Sequence, residues 1–346
     1  RTTPRYRTSL LYFLSVLLAF WGSAHPRQDW IKMKVFMTGT TGHAGSAALE
    51  RFVREGHEVY ALVRPHHLPN LEPRERVHWI GGDFADSEIV SETARLADAA
   101  VHIGASHDEE QERLDANAIA AIADALDGSG KVFVSTSATP VYGDTGRTPR
   151  DEHEPIENPH PLRAWRARHD LQVVGFSERG IRGVVVRPSL IYGRAAGWLA
   201  GLIVRAQKTG ISRYIGDGLN LTSTIHVDAL ADLYLKTITN ESAHGIYNAA
   251  SDEVVCSRDT AHLIAEIYGP GIEAVSWALE EAREALGELA DLSCVECIVS
   301  SNRARCELGW HPIAPSVTTE LASGSYRSEP LTPSSYDTSA VENTSS

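Results

Sequence analysis

The stretch MKVFMTGTTGHAGSAALERFVREGHEVYALVR, residues 33–64, constrains the fold more strongly than any other part of the chain. It opens with a short apolar run typical of a β-strand and closes with a second one. The apolar residues between them recur at helical spacing, after a turn that contains three glycines, Gly39, Gly42 and Gly45. This order predicts a strand, a glycine turn, a helix and a second strand within about thirty residues.

The three glycines have distinct physical roles in such a turn. The first lets the chain turn sharply off the strand, the second lets the backbone approach a pyrophosphate, and the third lets helix and strand pack closely. The N-terminus of the helix then offers N–H groups and a partial positive charge to the phosphates. The segment therefore predicts a dinucleotide site, with a glycine-rich turn that binds nothing as the alternative.

The alternation of strand and helix patterns continues along the chain. The runs VHWIGGDF, AAVHIGAS, KVFVSTSA and GVVVRPSLIYG are typical of four further strands. They predict an α/β fold with a doubly wound parallel sheet over residues 33–193, in which ligands bind at the carboxyl ends of the strands. From residue 194 the predicted strands become short and scattered, which indicates a smaller C-terminal region over 194–320.

The two ends of the chain differ from its middle. In residues 1–32, three arginines precede the apolar run LLYFLSVLLAFW and small residues follow it, as in a secretory signal. The run is too short for a comfortable transmembrane helix. Alternatively, the folded protein begins at Met33 and the leader is dispensable, which predicts a cytoplasmic protein. The tail, residues 321–346, is rich in Ser, Thr and Pro and is predicted to be disordered.

The end of the second strand bears on the choice of cofactor. A site for NAD usually has Asp or Glu there to accept hydrogen bonds from the ribose hydroxyls. Here the strand is followed by Arg64-Pro65-His66-His67, without an acid. Arg64 is able to pair with a 2′-phosphate, which favours NADP over NAD, and a solvated arginine at a strand end is the alternative.

Composition excludes some classes of function. The formal net charge is −13, with 45 acidic and 32 basic residues, which argues against nucleic acid as a main partner. The four cysteines include one C-x-x-C, Cys294 and Cys297, without the second pair that a zinc site needs. We interpret them as structural thiols, with a redox role as the alternative. The fifteen histidines are scattered, so no metal site is predicted.

Between about Met33 and Trp310 the chain resembles the extended short-chain dehydrogenase/reductases, the NAD-dependent epimerase/dehydratase family. The matching segments are TGTTGHAG, GDFAD, HIGAS, FVSTSATPVYGD, VVRPSLIYG, IHVDALADLY and ELGWHP. The resemblance implies a Rossmann fold with a small C-terminal substrate lobe over 194–320, integrated with the core. It also implies a nicotinamide cofactor, a small-molecule substrate and, as the family's habit, a homodimer formed through helices near residues 110–127 and 160–178.

The resemblance also implies roles for individual residues. Ser137 matches the family's catalytic serine or threonine, and Tyr192 is expected to face the substrate. Pro188 and Ser189 are expected near the nicotinamide. The rest of the cofactor site is implied to consist of Gly39, Gly42, His43, Ala44, Gly45, Asp83, Phe84, Gly104, Ala105 and Asn117. The alternative interpretation of Asn117 is an ordinary polar residue on a helix.

The segment PHPLRAWRARHD, residues 159–170, departs from the family. The family carries Tyr-x-x-x-Lys on the helix after the fifth strand, often followed four residues later by Glu. Asp170 matches that acid, and counting back in fours places Arg166 at the lysine position and Leu162 at the tyrosine position, on one predicted helix face. Arg166 is able to bind ribose hydroxyls, but a guanidinium does not act as a general base. Leu162 leaves no phenol, so Ser137, Tyr192 or a water held by Ser137 is the predicted proton donor.

Two classes of function follow from these observations. The first is an NADP- or NAD-dependent oxidoreductase or epimerase acting on a small carbonyl or hydroxyl compound, with sugar-like compounds among the candidates. The intact glycine turn of the cofactor end and Ser137 favour it. The second is a nucleotide-binding sensor or regulatory protein with impaired catalysis, which Leu162 favours.

Overall fold

The computed structural model describes residues 32–105 and 110–333. The prediction of a leader concerns residues 1–32, of which only Lys32 lies in the described part. The prediction of disorder beyond residue 333 also falls outside it.

A seven-stranded sheet forms the centre of the protein, and all its neighbouring strands are parallel. This confirms the predicted doubly wound architecture. In their order across the sheet, the strands are β3 (Val77–Gly81), β2 (Glu58–Val63), β1 (Lys34–Thr38), β4 (Ala99–His102), β5 (Val132–Thr136), β6 (Arg182–Pro188) and β10 (Gly245–Ala249).

The strands are apolar on both faces because each face is covered by helices. In β1, Val35 and Met37 enter one hydrophobic core while Phe36, between them, enters the core on the opposite face. This alternation is the two-residue period of a strand, and burial of both faces is typical of parallel sheets.

Helices cover the two faces of the sheet in separate groups. Helices α1 and α6 pack against each other on one face, and α2, α3 and α4 form the layer on the other. Their bounds are α1 (His43–Arg54), α2 (Ser87–Leu96), α3 (Gln111–Leu126), α4 (Ala164–Gly175) and α6 (Val227–Thr239). Short 3-10 turns lie at Pro65–Asn70, Thr139–Tyr142, Pro161–Arg163 and Phe176–Arg179.

The predicted sixth strand is interrupted at Ser189. The backbone N–H and the hydroxyl of Ser189 both donate to the carbonyl oxygen of Ala249, the last residue of β10. The chain then leaves the large sheet as β7 (Leu190–Tyr192), which pairs with β9 (Leu221–His226) in a second sheet. The segment that the sequence predicts as one strand therefore forms two strands, β6 in the large sheet and β7 in the sheet of the lobe.

The C-terminal lobe contains two small sheets. One has the order β11 (Val254–Cys256), β9, β7, and the other pairs β12 (Glu273–Trp277) with β8 (Ile211–Ile215). Its own hydrophobic core includes Leu199, Ile203 and Ile264. The helices of this region are α5 (Gly197–Thr209), α7 (Ser257–Tyr268), α8 (Leu279–Leu286), α9 (Glu288–Leu292) and α10 (Asn302–Leu308).

The prediction of a disordered tail from residue 321 is wrong for residues 321–333. These residues form the end of α11 (Val317–Ser323), then α12 (Ser325–Ser328) and a two-residue strand β13 (Thr332–Pro333). Val317, Leu321 and Tyr326 are buried in the core of the lobe. The segment from residue 321 has few apolar residues, but Leu321 and Tyr326 are buried and Leu331 packs against them. Composition alone therefore underestimated the order of this segment.

Candidate functional site

The glycine turn brings two strand ends into close contact. Gly39 follows β1 with a φ of +74°, and a Cβ there would come within 2.5 Å of the backbone nitrogen of Gly104, just beyond β4. A Cβ on Gly45 would overlap the carbonyl oxygen of Gly39. Glycine is therefore required at both positions, for conformation at the first and for close approach at both.

Helix α1 begins at this turn without a capping side chain. Its N-cap residue, Gly42, has no side chain to accept a hydrogen bond from the helix. The N–H of Gly42 donates to the carbonyl oxygen of Gly39 at 3.0 Å. The first-turn N–H groups, including those of Ala44 and Gly45, therefore receive no cap from a side chain at Gly42. Such a helix end fits a pyrophosphate, which supplies both the acceptor oxygens and the negative charge that the helix dipole favours.

The side chain of His43 is directed at the loop after β7. Its Nε2 lies 2.9 Å from the carbonyl oxygen of Gly193, after β7. Burial lowers the pKa of His43 to about 4, so the ring is neutral near pH 7 and Nε2–H is the donor. His43 can therefore contribute its backbone N–H to a pyrophosphate, while its ring joins α1 to the lobe.

The ends of β2 and β3 carry the residues predicted for the adenine side. Arg64 forms an ion pair with Asp83, with Nε and Oδ2 3.3 Å apart and both side chains about half exposed. Phe84 is buried and meets the ring of His102 edge-on, with the ring centroids 5.7 Å apart. Arg64 is thus close to an acid supplied by the neighbouring strand end, which the second strand alone did not reveal.

A buried polar cluster lies at the carboxyl end of β5. The hydroxyl of Ser137 donates to Oδ2 of Asp170 at 3.0 Å, and the same oxygen accepts from Nε of Arg187 at 2.8 Å. Burial raises the pKa of Asp170, and the Arg187 guanidinium counteracts that effect. Arg187 also donates to the Tyr142 hydroxyl at 2.8 Å, and Tyr142 donates to Oδ1 of Asn248 at 3.1 Å.

This cluster defines what Ser137 can do. Its single hydroxyl proton is directed at Asp170, so its remaining lone pairs are available to accept a hydrogen bond. Direct donation by Ser137 to a substrate would require the hydroxyl to turn away from Asp170. The arrangement is suited to receiving the proton of a substrate hydroxyl or to holding a water.

Arg166 contacts Thr136, the residue before Ser137. Its Nη1 donates to the carbonyl oxygen of Thr136 at 3.2 Å, at the end of β5. Its guanidinium carbon is 4.3 Å from the ring centroid of Trp165, so the charged group is stacked as well as hydrogen-bonded. A cation is thereby fixed at the strand end where a nicotinamide ribose is expected.

The prediction that Leu162 shares a helix face with Arg166 and Asp170 is wrong. Leu162 lies in the 3-10 turn Pro161–Arg163, and α4 begins only at Ala164. Pro161 suits the start of this turn, and Nδ1 of His160 accepts from the N–H of Leu162 at 3.3 Å. The helical count in fours therefore holds for Arg166 and Asp170 but not for Leu162, which is half-buried in the turn.

Tyr192 does not join Ser137. Its hydroxyl donates to the carbonyl oxygen of Pro315 at 2.7 Å, and only 2% of the residue is exposed. Burial raises the pKa of its phenol, which makes it a weaker acid. This corrects the prediction that Tyr192 reaches the space of Ser137, because β7 has left the large sheet and turned its side chain toward the C-terminal segment.

Of the remaining predicted residues, three lie at or after strand ends and one lies on a helix. Pro188 ends β6 and is buried, and Ser189 follows it with its hydroxyl bound to Ala249 at 2.9 Å. Ala105 is exposed at the end of the first described range, and Asn117 is half-buried on α3.

A second buried polar cluster was missed at the sequence level. Oγ1 of Thr38 lies 2.7 Å from Nδ1 of His102, whose Nε2 lies 3.1 Å from Oδ1 of Asp115, while Oδ2 of Asp115 is 2.6 Å from Nδ1 of His169. Burial opposes the charge on Asp115, but the hydrogen bonds from His102 and His169 hold its pKa well below the usual range. A histidine that ends the otherwise apolar strand β4 was the available signal. The cluster connects β1 and β4, which flank the glycine turn, to helix α4.

Other classes of site have little support in the described residues. No group of three His, Cys, Asp or Glu side chains within ranges 32–105 and 110–333 is arranged to hold a metal ion. The four cysteines are free thiols, with Cys256 and Cys297 buried. Over the same ranges, no helix combines the length and the apolar character needed to cross a membrane.

Comparison with known proteins agrees with this geometry. Residues 35–250 match the model of the NAD dependent epimerase/dehydratase family. An uncharacterized protein of Schizosaccharomyces pombe is 28% identical over 301 residues, covering 85% of this chain and 100% of that protein. The 2-alkyl-3-oxoalkanoate reductase of Stenotrophomonas maltophilia is 28% identical over 221 residues, 58% of this chain and 63% of that enzyme.

A solved structure shares the fold at low sequence identity. DesIV, the dTDP-glucose 4,6-dehydratase of Streptomyces venezuelae, solved with NAD and TYD bound, has a TM-score of 0.73 and 18% identity, over 86% of this chain and 97% of that one. The family match spans more than half of this chain, from β1 to the end of β10. The chain therefore belongs to the NAD-dependent epimerase/dehydratase family.

Proposed function

We propose that this protein is an NADP- or NAD-dependent oxidoreductase or epimerase that acts on a small compound bearing a hydroxyl or carbonyl group. One observation carries the proposal: Ser137 with Asp170, and Arg166, lie at the carboxyl end of β5, on the edge of the sheet that also carries the glycine turn. Because carboxyl ends of parallel strands share one edge, a dinucleotide held at the turn extends toward these residues.

The residues of the chain have separate tasks in this proposal. The first turn of α1 binds the pyrophosphate, and Arg166 holds the ribose on the nicotinamide side while keeping a positive potential there. The nicotinamide, when bound, supplies or accepts the hydride. Ser137, with its proton directed at Asp170, accepts the hydrogen bond of a substrate hydroxyl and orients it, directly or through a water.

The missing phenol limits the expected rate. Help from a positioned acid or base is worth about 10²–10⁴ in rate. Ser137 is a poor acid, and its contact with Asp170 is suited to accepting a proton rather than to donating one. We therefore expect slow turnover, with oxidation of a hydroxyl better served than protonation of a developing alkoxide.

The chemical class of substrate follows from the relatives by analogy. One relative is named as a reductase of 2-alkyl-3-oxoalkanoates and one structural neighbour as a dehydratase of dTDP-glucose. Both substrates carry a hydroxyl or carbonyl carbon, which is the feature that our proposal requires. The second candidate, a nucleotide-binding regulatory protein, is favoured by Leu162 in the turn and by the diversion of Tyr192 to Pro315.

We expect tighter binding of NADPH than of NADH, because β2 ends without an acid and Arg64 follows it. Arg64→Ala should lower the NADPH affinity by about tenfold, the range of a charge-assisted hydrogen bond, and leave NADH binding nearly unchanged. Titration of both dinucleotides by their fluorescence measures the ratio.

Asp83→Asn is the matched variant for this test. It removes the acid that pairs with Arg64 at 3.3 Å, so it should raise NADPH affinity where Arg64→Ala lowers it. A ratio of NADPH to NADH affinity that neither variant changes would refute the assignment of Arg64 to a 2′-phosphate.

The function itself is tested by hydride transfer. Purified protein is incubated with NADPH or NADP⁺ and a panel of 3-oxoacyl compounds, aldehydes, sugar nucleotides and the corresponding alcohols, and absorbance at the reduced-nicotinamide band is followed. Turnover with at least one compound that Ser137→Ala abolishes supports the oxidoreductase. Tight dinucleotide binding without turnover across the panel favours the regulatory protein.

A further inference from the structure

The loop between β7 and α5 has an unusual backbone. Gly193, Arg194, Ala195 and Gly197 all have positive φ values, of 102°, 53°, 51° and 75°. This region favours glycine, and two of the four residues carry a Cβ. Such a conformation persists only where the surroundings fix it, and residues of this kind are common at functional sites.

The C-terminal segment holds this loop through its backbone groups. Tyr326 accepts from the N–H of Gly193 and donates to the carbonyl oxygen of Ala196, both at 2.8 Å. Ser325 accepts from the N–H of Ala195 at 2.8 Å, and the N–H of Thr332 donates to the carbonyl of Ala195 at 2.8 Å. We name residues 316–333 the C-terminal clamp.

The clamp is itself anchored in the lobe. Ser325 donates through its hydroxyl to Oε2 of Glu320 at 2.6 Å, and Glu320 is buried. Oε1 of Glu320 lies 3.5 Å from Nε2 of His226, the last residue of β9. Tyr326 is only 3% exposed, so its hydrogen bonds to the loop are shielded from water.

The other side of the loop touches the glycine-turn helix. Nε2 of His43, the first residue of α1, lies 2.9 Å from the Gly193 carbonyl, and a Cβ on Gly197 would come within 2.9 Å of Nδ1 of the same ring. Arg194 adds an ion pair to Glu50 on α1 and another to Asp228 on α6. The loop therefore lies between the clamp and the first turn of α1.

We propose that Ser325 and Tyr326 are positioning residues for the cofactor, which act by holding loop 193–197 against His43 and so fixing the first turn of α1. This inference rests on the proposed function, because it assigns the dinucleotide to that turn. Neither residue touches the cofactor in this account. Their effect passes through the Gly193 backbone, whose N–H is bound by Tyr326 and whose carbonyl is bound by His43.

The test compares two tyrosine variants in the full chain. Tyr326→Phe keeps the ring and removes both hydrogen bonds to the loop. Tyr247→Phe is the matched control, because Tyr247 is also fully buried and its hydroxyl also has two partners, the N–H of His244 and a Glu307 carboxylate, on the edge strand β10. Similar losses of thermal stability are expected for the two.

Two measurements separate positioning from stability. In the protein without cofactor, hydrogen exchange at the Gly193 and Ala195 amides and the ring Hε1 signal of His43 should change in Tyr326→Phe and not in Tyr247→Phe. NADPH binding should then weaken by about threefold to tenfold in Tyr326→Phe alone, the range of one or two lost hydrogen bonds. Ser325→Ala should reproduce the effect at smaller size, and serves where Tyr326→Phe does not fold.

The outcomes distinguish this proposal from the proposed function. An unchanged His43 signal together with unchanged NADPH affinity in both clamp variants overturns the positioning role and leaves the function intact. Equal weakening in Tyr326→Phe and Tyr247→Phe overturns it as well, since the effect is then one of stability. If the wild type binds neither dinucleotide, the proposed function fails and the cofactor role of the clamp fails with it.

Discussion

Replacing Gly45 by alanine should weaken dinucleotide binding by about tenfold to more than a hundredfold. The added methyl group would overlap the carbonyl oxygen of Gly39, which is backbone and has no alternative rotamer. Relief of such overpacking costs about 1–3 kcal/mol and moves either the Gly39 peptide or the first turn of α1. The Gly39 peptide and the first turn of α1 together present N–H groups to the pyrophosphate, so moving either one lowers the affinity for the dinucleotide. Calorimetric titration with NADPH and NADH measures it.

Gly175→Ala is the control for this experiment. Gly175 lies at the end of α4 with a φ of −67°, and in the described part of the chain no atom beyond its neighbours and its own helix backbone lies within 4 Å of the position its Cβ would take. Alanine there should leave binding unchanged and stabilise the protein by up to about 1 kcal/mol. Wild-type affinity in Gly45→Ala would show that the dinucleotide does not bind at this turn.

Ser137→Ala should lower turnover by about 10²–10⁴ with the best substrate found, while NADPH affinity changes by less than about twofold. The Ser137 hydroxyl donates to the Asp170 carboxylate, which also accepts from Arg187, at the end of β5. Removing it takes away the acceptor for a substrate hydroxyl and leaves the ion pair in place. Steady-state kinetics and a fluorescence titration on the same preparations separate the two effects.

Ser301→Ala controls for the loss of a buried hydroxyl. Ser301 is 5% exposed and donates to the Ala250 carbonyl at 2.8 Å. The Ser301→Ala variant should lose about 0.5–1.5 kcal/mol of its free energy of unfolding and keep full turnover. If Ser137→Ala behaves in the same way as Ser301→Ala, Ser137 has a structural role and a water or another group handles the proton.

The sequence predicted those parts of the fold that depend on local pattern. The glycine spacing located the turn, and the alternation of apolar strands and helices predicted the parallel sheet, because strand burial and helical period are written in adjacent residues. The contacts of Ser137 and Arg166 also lie at the end of β5, and the roles assigned to these two residues stay predictions. Both predictions used positions within a single element or at its boundary.

The parts that were missed depend on contacts between distant segments. Tyr192 was assigned by its place after β6, but Ser189 ends that strand by bonding to Ala249, and the tyrosine turns to Pro315 instead. Leu162 was counted onto a helix whose first turn is 3-10.

Polar residues in apolar surroundings were the most difficult to interpret. His102 and Asp115 are 13 residues apart on a strand and a helix, and their hydrogen bond is visible only in three dimensions. Tyr326 lies in a segment whose composition is typical of disorder, yet it bonds to Gly193, 133 residues earlier in the chain. No local period encodes such pairs.

The central claim is that the nicotinamide lies at the end of β5, between Ser137 and Arg166. A crystal structure of the protein with bound NADP⁺ tests it most directly. The account predicts the pyrophosphate on the first-turn N–H groups of α1, the Arg166 guanidinium hydrogen-bonded to the ribose next to the nicotinamide, and Ser137 beside the nicotinamide ring. A bound dinucleotide that Arg166 does not contact, with its nicotinamide away from Ser137, would contradict the account.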